Sequence, residues 1–427
     1  MNYASSQTYT LNQASADDEA DELSGFRNQF YIPQHHNSDC IYLTGNSLGL
    51  QPKQTESYIK QELSDWATHG VEAHFRGKHP WYYYHHFCEE VLAELVGARK
   101  QEVAAMGSLT NNLHLLLVSF YRPVGRKYKI LMEANAFPSD QYAIESQVRF
   151  HGYHPDDAII ELAPRPGERF WRTEDILRCI DEHRDELALV LMSGVNYLNG
   201  QFFNISEITA QAHQYKILAG FDLAHAIGNI PLQLHDWQAD FACWCSYKYL
   251  NSGPGGVAGI FVHEKHSNNP SLPRFAGWWG NDESTRFEMK KGFHPQPGAA
   301  GWQLSNAPVL HMAAHRASLD LFKQAGINRL RAKSEKMTLV LKQIIDQYNQ
   351  MATVRLQCIT PDAMDERGCQ FSLIASERGK EVFDVLTQHG VIADWREPNV
   401  IRMAPVPMYN SFMDLYRLKE ILFNLAK

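Results

Sequence analysis

Between residues 105 and 260 the chain alternates short, unbroken apolar runs with amphipathic stretches. The runs are Tyr128–Met132, Leu187–Met192, Ile217–Phe221, Phe241–Cys245 and Val257–Val262. A strand with one wet face alternates polar and apolar residues, whereas a strand apolar throughout is covered on both faces. Runs of this length between helical segments predict an α/β fold, with a mostly parallel sheet packed between helices. The pattern then changes. A helical stretch at about 308–348 reads as a connector. Beyond it, strands near 354–359, 369–375 and 391–404 and helices near 379–389 and 411–426 predict a small α+β domain. Residues 1 to about 30 are polar and read as loosely ordered. Dense Gly/Pro punctuation between 251 and 308 suggests loops over a site. We find no internal repeat of fixed period.

Bulk properties remove several classes of function. The net charge of -8 over 427 residues predicts no general attraction to nucleic acid or to anionic membranes. The seven cysteines are odd in number, form no C-x-x-C pair and lie partly in apolar runs, which favours a reducing compartment. Asp17, Asp18, Glu19, Asp21 and Glu22 make the start acidic, unlike a signal or transit peptide. The run from Leu113 to Tyr121 is interrupted by His114 and Ser119 and is too short to span a bilayer. A soluble, cytoplasmic protein is expected.

Chemistry concentrates at two strand ends. Lys248 closes the apolar, aromatic run Trp244-Cys245-Ser246-Tyr247-Lys248-Tyr249, with Gly253-Pro254-Gly255-Gly256 behind it. Desolvation there would lower the amine pKa and make it nucleophilic, able to form a Schiff base with an aldehyde cofactor. Asp222 closes the run before Leu223-Ala224-His225. A carboxylate so placed can keep a cofactor's ring nitrogen protonated as an electron sink. Ends of parallel strands are where α/β ligand sites form. Alone, each has a plainer reading: a surface lysine, a helix-capping aspartate, a structural histidine. Together, in this order, they suggest a pyridoxal-phosphate enzyme.

Weaker signals agree. Gly107-Ser108-Leu109-Thr110-Asn111-Asn112 opens a helical run and could seat a phosphate at the helix start, although a plain Ser cap has the same pattern. Phe137, in Ala136-Phe137-Pro138-Ser139-Asp140, offers a face for stacking on a pyridine ring. Arg402 lies inside an apolar strand and needs an anionic partner, either a salt bridge or a substrate carboxylate. Gly253-Pro254-Gly255-Gly256-Val257-Ala258 matches a dinucleotide fingerprint, but a strand follows it where that fingerprint demands a helix. The pairs His35-His36 and His85-His86 read as surface or interface histidines, since neighbours on an element point apart, and no metal site is expected.

Taken together, Gly45-Asn46-Ser47-Leu48-Gly49, Phe137-Pro138-Ser139-Asp140, Phe221-Asp222-Leu223-Ala224-His225-Ala226, Ser246-Tyr247-Lys248-Tyr249-Leu250-Asn251 and Gly277-Trp278-Trp279-Gly280 resemble kynureninase from about residue 25 onward. The resemblance implies a type I pyridoxal-phosphate transferase fold with a seven-stranded sheet. It implies an N-terminal segment 1–65 packing with the small domain, a large cofactor domain 66–307, and a connector with the small domain at 308–427. It implies a cytoplasmic homodimer with shared active sites that acts on kynurenine or 3-hydroxykynurenine in tryptophan degradation. By position, Lys248 carries the cofactor and then serves as base at Cα, Asp222 faces the pyridine nitrogen, and Tyr247 contacts the phosphate and assists proton transfer. Leu109, Thr110, Phe137, Pro138, Ser139, Asp140, Ser193 and His225 complete the cofactor site, with Trp278 and Asn306 approaching from a partner. Arg402, Asn46, Ser47, His74, Ser305 and Asn306 would meet the substrate. The pattern at His74, Ser305 and Asn306 suits a ring hydroxyl, though Phe75 and Arg76 beside His74 are unusual, and activity on both substrates is expected. The rivals are another type I enzyme, such as an aminotransferase or cysteine desulfurase, and a non-catalytic sensor that kept the fold. No cysteine sits in an obvious Gly/Ser-rich loop, as a desulfurase needs. A sensor would have lost the lysine or gained a DNA-binding domain.

Overall fold

Each of the five apolar runs contributes a strand. The computed structural model describes residues 8–267, 269–375 and 378–426. Among them the large sheet has seven strands: β1 (Val103–Ala105), β2 (Lys129–Glu133), β3 (Ile159–Leu162), β4 (Leu187–Ser193), β5 (Leu218–Asp222), β6 (Phe241–Trp244) and β7 (Gly259–Val262). They lie in the order β1-β7-β6-β5-β4-β2-β3. From β3 to β6 all neighbours are parallel, and β7 runs antiparallel to both β6 and β1. The apolar runs are continuous because successive residues enter different cores. Val190, Met192, Phe221 and Trp244 join the core on one face, while Leu189, Leu191, Phe241 and Cys243 join the core on the other. The segment after Gly253-Pro254-Gly255-Gly256 is strand β7, as its apolar pattern requires.

A helix precedes the sheet in the chain: α1 (Leu11–Glu19). Residues 1–7, part of the stretch expected to be loose, lie outside the described residues. From residue 8 onward that expectation is corrected, because the segment is tied down by its side chains. Helices α2 (His86–Val96), α3 (Leu109–Phe120) and α4 (Pro138–Phe150) cover the sheet, α2 on one face and α3 and α4 on the other. The connector is two helices, α5 (Val309–Ala325) and α6 (Ile327–Met351). Gly326 breaks it with φ 74°, a left-handed turn that glycine adopts without penalty. Helix α7 (Phe412–Leu425) ends the fold, and Asp18 caps it, accepting from the Phe412 and Met413 amides at 2.7 and 2.9 Å. Lys333 pairs with Asp21 at 2.7 Å.

The second sheet is antiparallel, with order β8-β9-β11-β10: β8 (Leu356–Cys358), β9 (Phe371–Ala375), β10 (Asp394–Arg396) and β11 (Val400–Met403). Helices α6 and α7 cover it through a separate core that includes Tyr9, Ile41 and Leu43. Among the described residues no helix is long and apolar enough to cross a membrane, and all seven cysteines are free.

Candidate functional site

Parallel pairing brings a row of polar side chains to the carboxyl ends of β2, β4 and β5. Glu133, Ser193 and Asp222 are the last residues of those strands, and Ser193 stands opposite Asp222 in the ladder. A cavity opens there, where ligands of open α/β sheets bind. Ten of the residues singled out from the sequence line it: Leu109, Thr110, Phe137, Ser139, Asp140, Ser193, Asp222, His225, Tyr247 and Lys248.

Lys248 projects into this cavity from the turn after β6. Its Nζ lies 3.0 Å from His225 Nε2 and 5.7 Å from the centre of the Phe137 ring. Burial, then the nearby Lys248 charge, pushes His225 well below its ordinary range, so the ring is neutral and accepts from the ammonium. Its Nδ1 is buried without a partner. The backbone that carries Lys248 is braced by the predicted Gly45–Gly49 loop, since the Gly49 amide donates to Tyr247 O at 2.9 Å.

Acid groups face the amine. Burial, and then the charge of Asp222, pushes the Asp140 carboxyl well above the usual range. Burial raises Asp222 as well, but the hydrogen bond from Asp140, the Lys248 charge and the Ala224 amide at 2.6 Å oppose the shift. Asp140 is thus the more strongly raised of these two hydrogen-bonded carboxyls. Glu133 stands behind them, 2% exposed. It accepts from the Ser193 amide at 3.3 and 3.2 Å and from the Ser193 hydroxyl. Asp140 Oδ1 has no hydrogen-bond partner. Buried polar atoms without partners are uncommon in folded proteins, and two of them here face one cavity.

Two helix starts meet the same cavity. Thr110 is in the first turn of α3 and Ser139 in the first turn of α4, with their hydroxyls 2.6 Å apart. Neither Ser108 nor Phe137 caps its helix with a side chain, so backbone N–H groups remain for an anion. Pro138 opens α4 and is not in the lining; its fixed φ suits a first helical position.

The remaining candidates stand further off. Arg402 is 1% exposed on β11. It donates to Tyr197 O at 2.6 Å and pairs with Asp394, while its Nε has no partner. Burial lowers its pKa to about 10, which still leaves it charged at neutral pH. Tyr197 lines the cavity, its ring edge-on to Phe137 at 5.3 Å, so Arg402 sits just behind the wall. Asn46 is buried and donates to Gln370 Oε1 at 3.1 Å, and Gln370 in turn donates to Tyr197 O at 3.0 Å. Ser47, Ser305 and Asn306 are exposed. His74 is half-buried and edge-on to Trp81 at 5.4 Å. Trp278 is 47% exposed and lines a different cleft with Arg286. None of these five lines the Lys248 cavity. His35-His36 lies at the surface, as expected, but His85-His86 differs: the two rings lie 4.0 Å apart and His85 is buried.

The sequence reading missed Glu133, Tyr197 and Gln370. Glu133 carried the same signal as Asp222, an acid closing an apolar run. Tyr197 and Gln370 carried none, because a chain crossing between the two sheets places them.

Comparison with known proteins follows the same lines. Residues 330–422 match the family model described as kynureninase C-terminal domain. The chain is 50% identical over 413 residues to a kynureninase of Flavobacterium psychrophilum, covering 97% of each. It is 52% identical over 411 residues to a kynureninase of Myxococcus xanthus, covering 96% of each. Among solved structures, the cysteine desulfurase CsdA of Escherichia coli superposes with a TM-score of 0.75 at 15% identity, over 95% of this chain and 98% of that one. That likeness concerns the fold.

Proposed function

The chain belongs to the kynureninase family, and on that premise we propose that the cavity around Lys248 is its active site. There, with pyridoxal 5'-phosphate, it hydrolyses L-kynurenine, 3-hydroxy-L-kynurenine or both to anthranilate or 3-hydroxyanthranilate and L-alanine. One observation carries the assignment of the site. A lysine amine, two hydrogen-bonded aspartates and two uncapped helix starts all face a single cavity.

The residues fit this cofactor. Lys248 would hold its aldehyde carbon, Asp222 its pyridine nitrogen, and Phe137 would lie against its ring. Thr110, Ser139 and the free N–H groups of α3 and α4 would take its phosphate. When bound, the cofactor supplies the electron sink that stabilises a carbanion at the substrate Cα.

The chain's own side chains then divide the work. Lys248 Nζ, when it is not holding the cofactor, would be the base for the substrate's Cα proton. Neutral His225 beside it adds no second positive charge. Asp222 would face the ring nitrogen and favour its protonated form, with the hydrogen bond from Asp140 holding Asp222 in place. Burial raises the Tyr247 phenol above its ordinary value, so it stays protonated at neutral pH and could donate a proton to Cβ, the carbon of the alanine half that keeps the electron pair when the Cβ–Cγ bond breaks. Arg402 turns toward the substrate carboxylate with the Nε it has spare. Water is consumed at the ketone as the Cβ–Cγ bond breaks.

We further infer a homodimer whose partner completes each site. Trp278, Ser305 and Asn306, expected at cofactor and substrate, are exposed and away from the cavity of their own chain. Exposed Trp66, Phe75, Phe287 and Met289 supply apolar surface for such an interface. A cytoplasmic setting fits seven cysteines free of disulfides. The test is turnover: cofactor-loaded protein is mixed with each substrate, and anthranilate fluorescence and substrate absorbance are followed. Release of anthranilate or its 3-hydroxy form is expected. Cofactor bound without turnover of either substrate refutes the reading.

A further inference from the structure

Two groups of histidine and carboxylate lie outside the cavity, Glu102–His235–His263 and His85–His86–Glu89. In each, the atoms able to bind a metal lie within 4.8 Å of one another. Hydrogen bonds close the first group. Glu102 accepts from the Arg99 and Glu264 amides, each at 2.8 Å, and meets His235 Nδ1 at 3.0 Å. His263 Nδ1 accepts the Lys265 amide at 3.1 Å. These bonds already engage the Glu102 oxygens, His235 Nδ1 and His263 Nδ1.

The second group is open. His85 is 1% exposed, yet neither of its ring nitrogens has a hydrogen-bond partner. A buried imidazole with both nitrogens idle forfeits the hydrogen bonds it would make in water, so the site calls for a partner. His85 precedes α2, His86 is its first residue and Glu89 follows one turn on. The two rings are 4.0 Å apart and tilted by 39°, and one nitrogen of each lies within 4.8 Å of the other and of a Glu89 carboxylate oxygen. His86 Nδ1 lies 2.7 Å from Glu89 Oε1, and His86 Nε2 lies 3.7 Å from Glu283 Oε2.

We propose that His85, His86 and Glu89 bind one divalent ion of the zinc class, with Glu283 orienting His86 through its second ring nitrogen. Two imidazoles and one carboxylate are donors of borderline softness, a set that suits zinc and excludes calcium or magnesium. The carboxylate–histidine–metal relay is the usual support for such a ligand. The ion replaces the proton shared by His86 and Glu89, and that contact opens to about 3.3 Å to admit bonds of about 2.0–2.2 Å. His86 and Glu283 are 33% and 29% exposed, which gives water a fourth position.

Two cations stand nearby. Lys100 lies 3.7 Å from Glu89 Oε2 and is 60% exposed, free to swing away. Arg286 is buried, held by the carbonyls of Trp279 and Asn281 and over the Trp279 ring. Tyr82 donates to Glu283 O at 3.2 Å. The ion would therefore tie the start of α2 to the segment that carries Trp279 and Arg286.

The experiment uses full-length, cofactor-loaded protein stripped with EDTA and dialysed. Co2+ is titrated by visible absorption and Zn2+ by calorimetry. One saturable equivalent is expected, with the d–d bands of a four-coordinate cobalt site. Glu89→Gln and His86→Asn should each abolish that equivalent, and Glu283→Gln should weaken it by about 10- to 100-fold. Circular dichroism in the absence of metal confirms that each variant is folded. Absence of a saturable equivalent, or one that folded Glu89→Gln and His86→Asn both retain, overturns the proposal.

Discussion

Replacing Gly49 by alanine tests how the loop Gly45–Gly49 holds Lys248, the lysine proposed to carry the cofactor. The added methyl would lie well inside contact distance of Lys248 O and Asn251 Oδ1, and 2.8 Å from Asn251 Cα. Two of these three contacts are with main chain, so a rotamer change cannot relieve them. The backbone must part by nearly 1 Å, and the bond from the Gly49 amide to Tyr247 O, now 2.9 Å, would be lost. Overpacking costs about 1–3 kcal/mol and the lost hydrogen bond about 1 kcal/mol. Alanine lowers unfolded-state entropy and returns about 0.4–1 kcal/mol. The net loss is about 1–3 kcal/mol in urea unfolding. Because the strain falls on the backbone of Lys248, turnover should fall more than stability implies, on the order of 10²-fold for a displacement near 1 Å. Gly25 has nothing within 4 Å of an added methyl and serves as the control, with a change within about 0.5 kcal/mol. Gly49→Ala with the stability and kcat of the parent would refute the reasoning.

Other substitutions probe the charges. Asp222→Asn should keep the cofactor bound and lower kcat by on the order of 10²- to 10³-fold, the size of a lost preorganised electrostatic contact; an unchanged kcat would remove Asp222 from the ring nitrogen. Arg402→Ala should raise KM by on the order of 30-fold or more, equivalent to about 2 kcal/mol or more for a buried charged contact; an unchanged KM excludes the carboxylate role. His315 is fully buried with neither ring nitrogen paired, and burial lowers its pKa to about 3. The unfolded chain then binds the extra proton below pH about 6.5, so this contribution to stability falls as pH falls through that value. Unfolding at pH 6.5 and pH 5 should differ by about 2 kcal/mol from this residue alone, and His315→Asn should lose that share of the slope. An unaltered slope would contradict it.

Five of the seven strands were legible because burial on both faces leaves them apolar throughout, whereas the short β1 and the edge strand β3, with exposed Glu161, carried no such run. That pattern marked all five runs and separated β7 from a helix despite its glycine-rich approach. Lys248 and Asp222 were legible for the same reason: each is a charged or polar break at the end of such a run. Register was not legible. Ser193 meets Asp222 only because β4 and β5 pair in parallel, and nothing local to Ser193 records that. Glu133 could have been read as Asp222 was, but a glutamate after an apolar run is also the commonest of surface residues. Helix α1 buries only Ala14 and has almost no apolar face. Its order comes from Tyr9 and Asp18 reaching α7 some 400 positions away in the chain, beyond any local pattern. Tyr197 and Gln370 join the site through the meeting of two sheets, and His85 is buried by the same kind of tertiary contact.

If Lys248 carries the cofactor in the cavity at the ends of β2, β4 and β5, borohydride reduction of the cofactor-loaded protein, followed by proteolysis and mass spectrometry, will give a single pyridoxyl adduct on the peptide bearing Lys248, absent from Lys248→Ala. An adduct on another lysine, or none on a protein that demonstrably retains the cofactor, would contradict it.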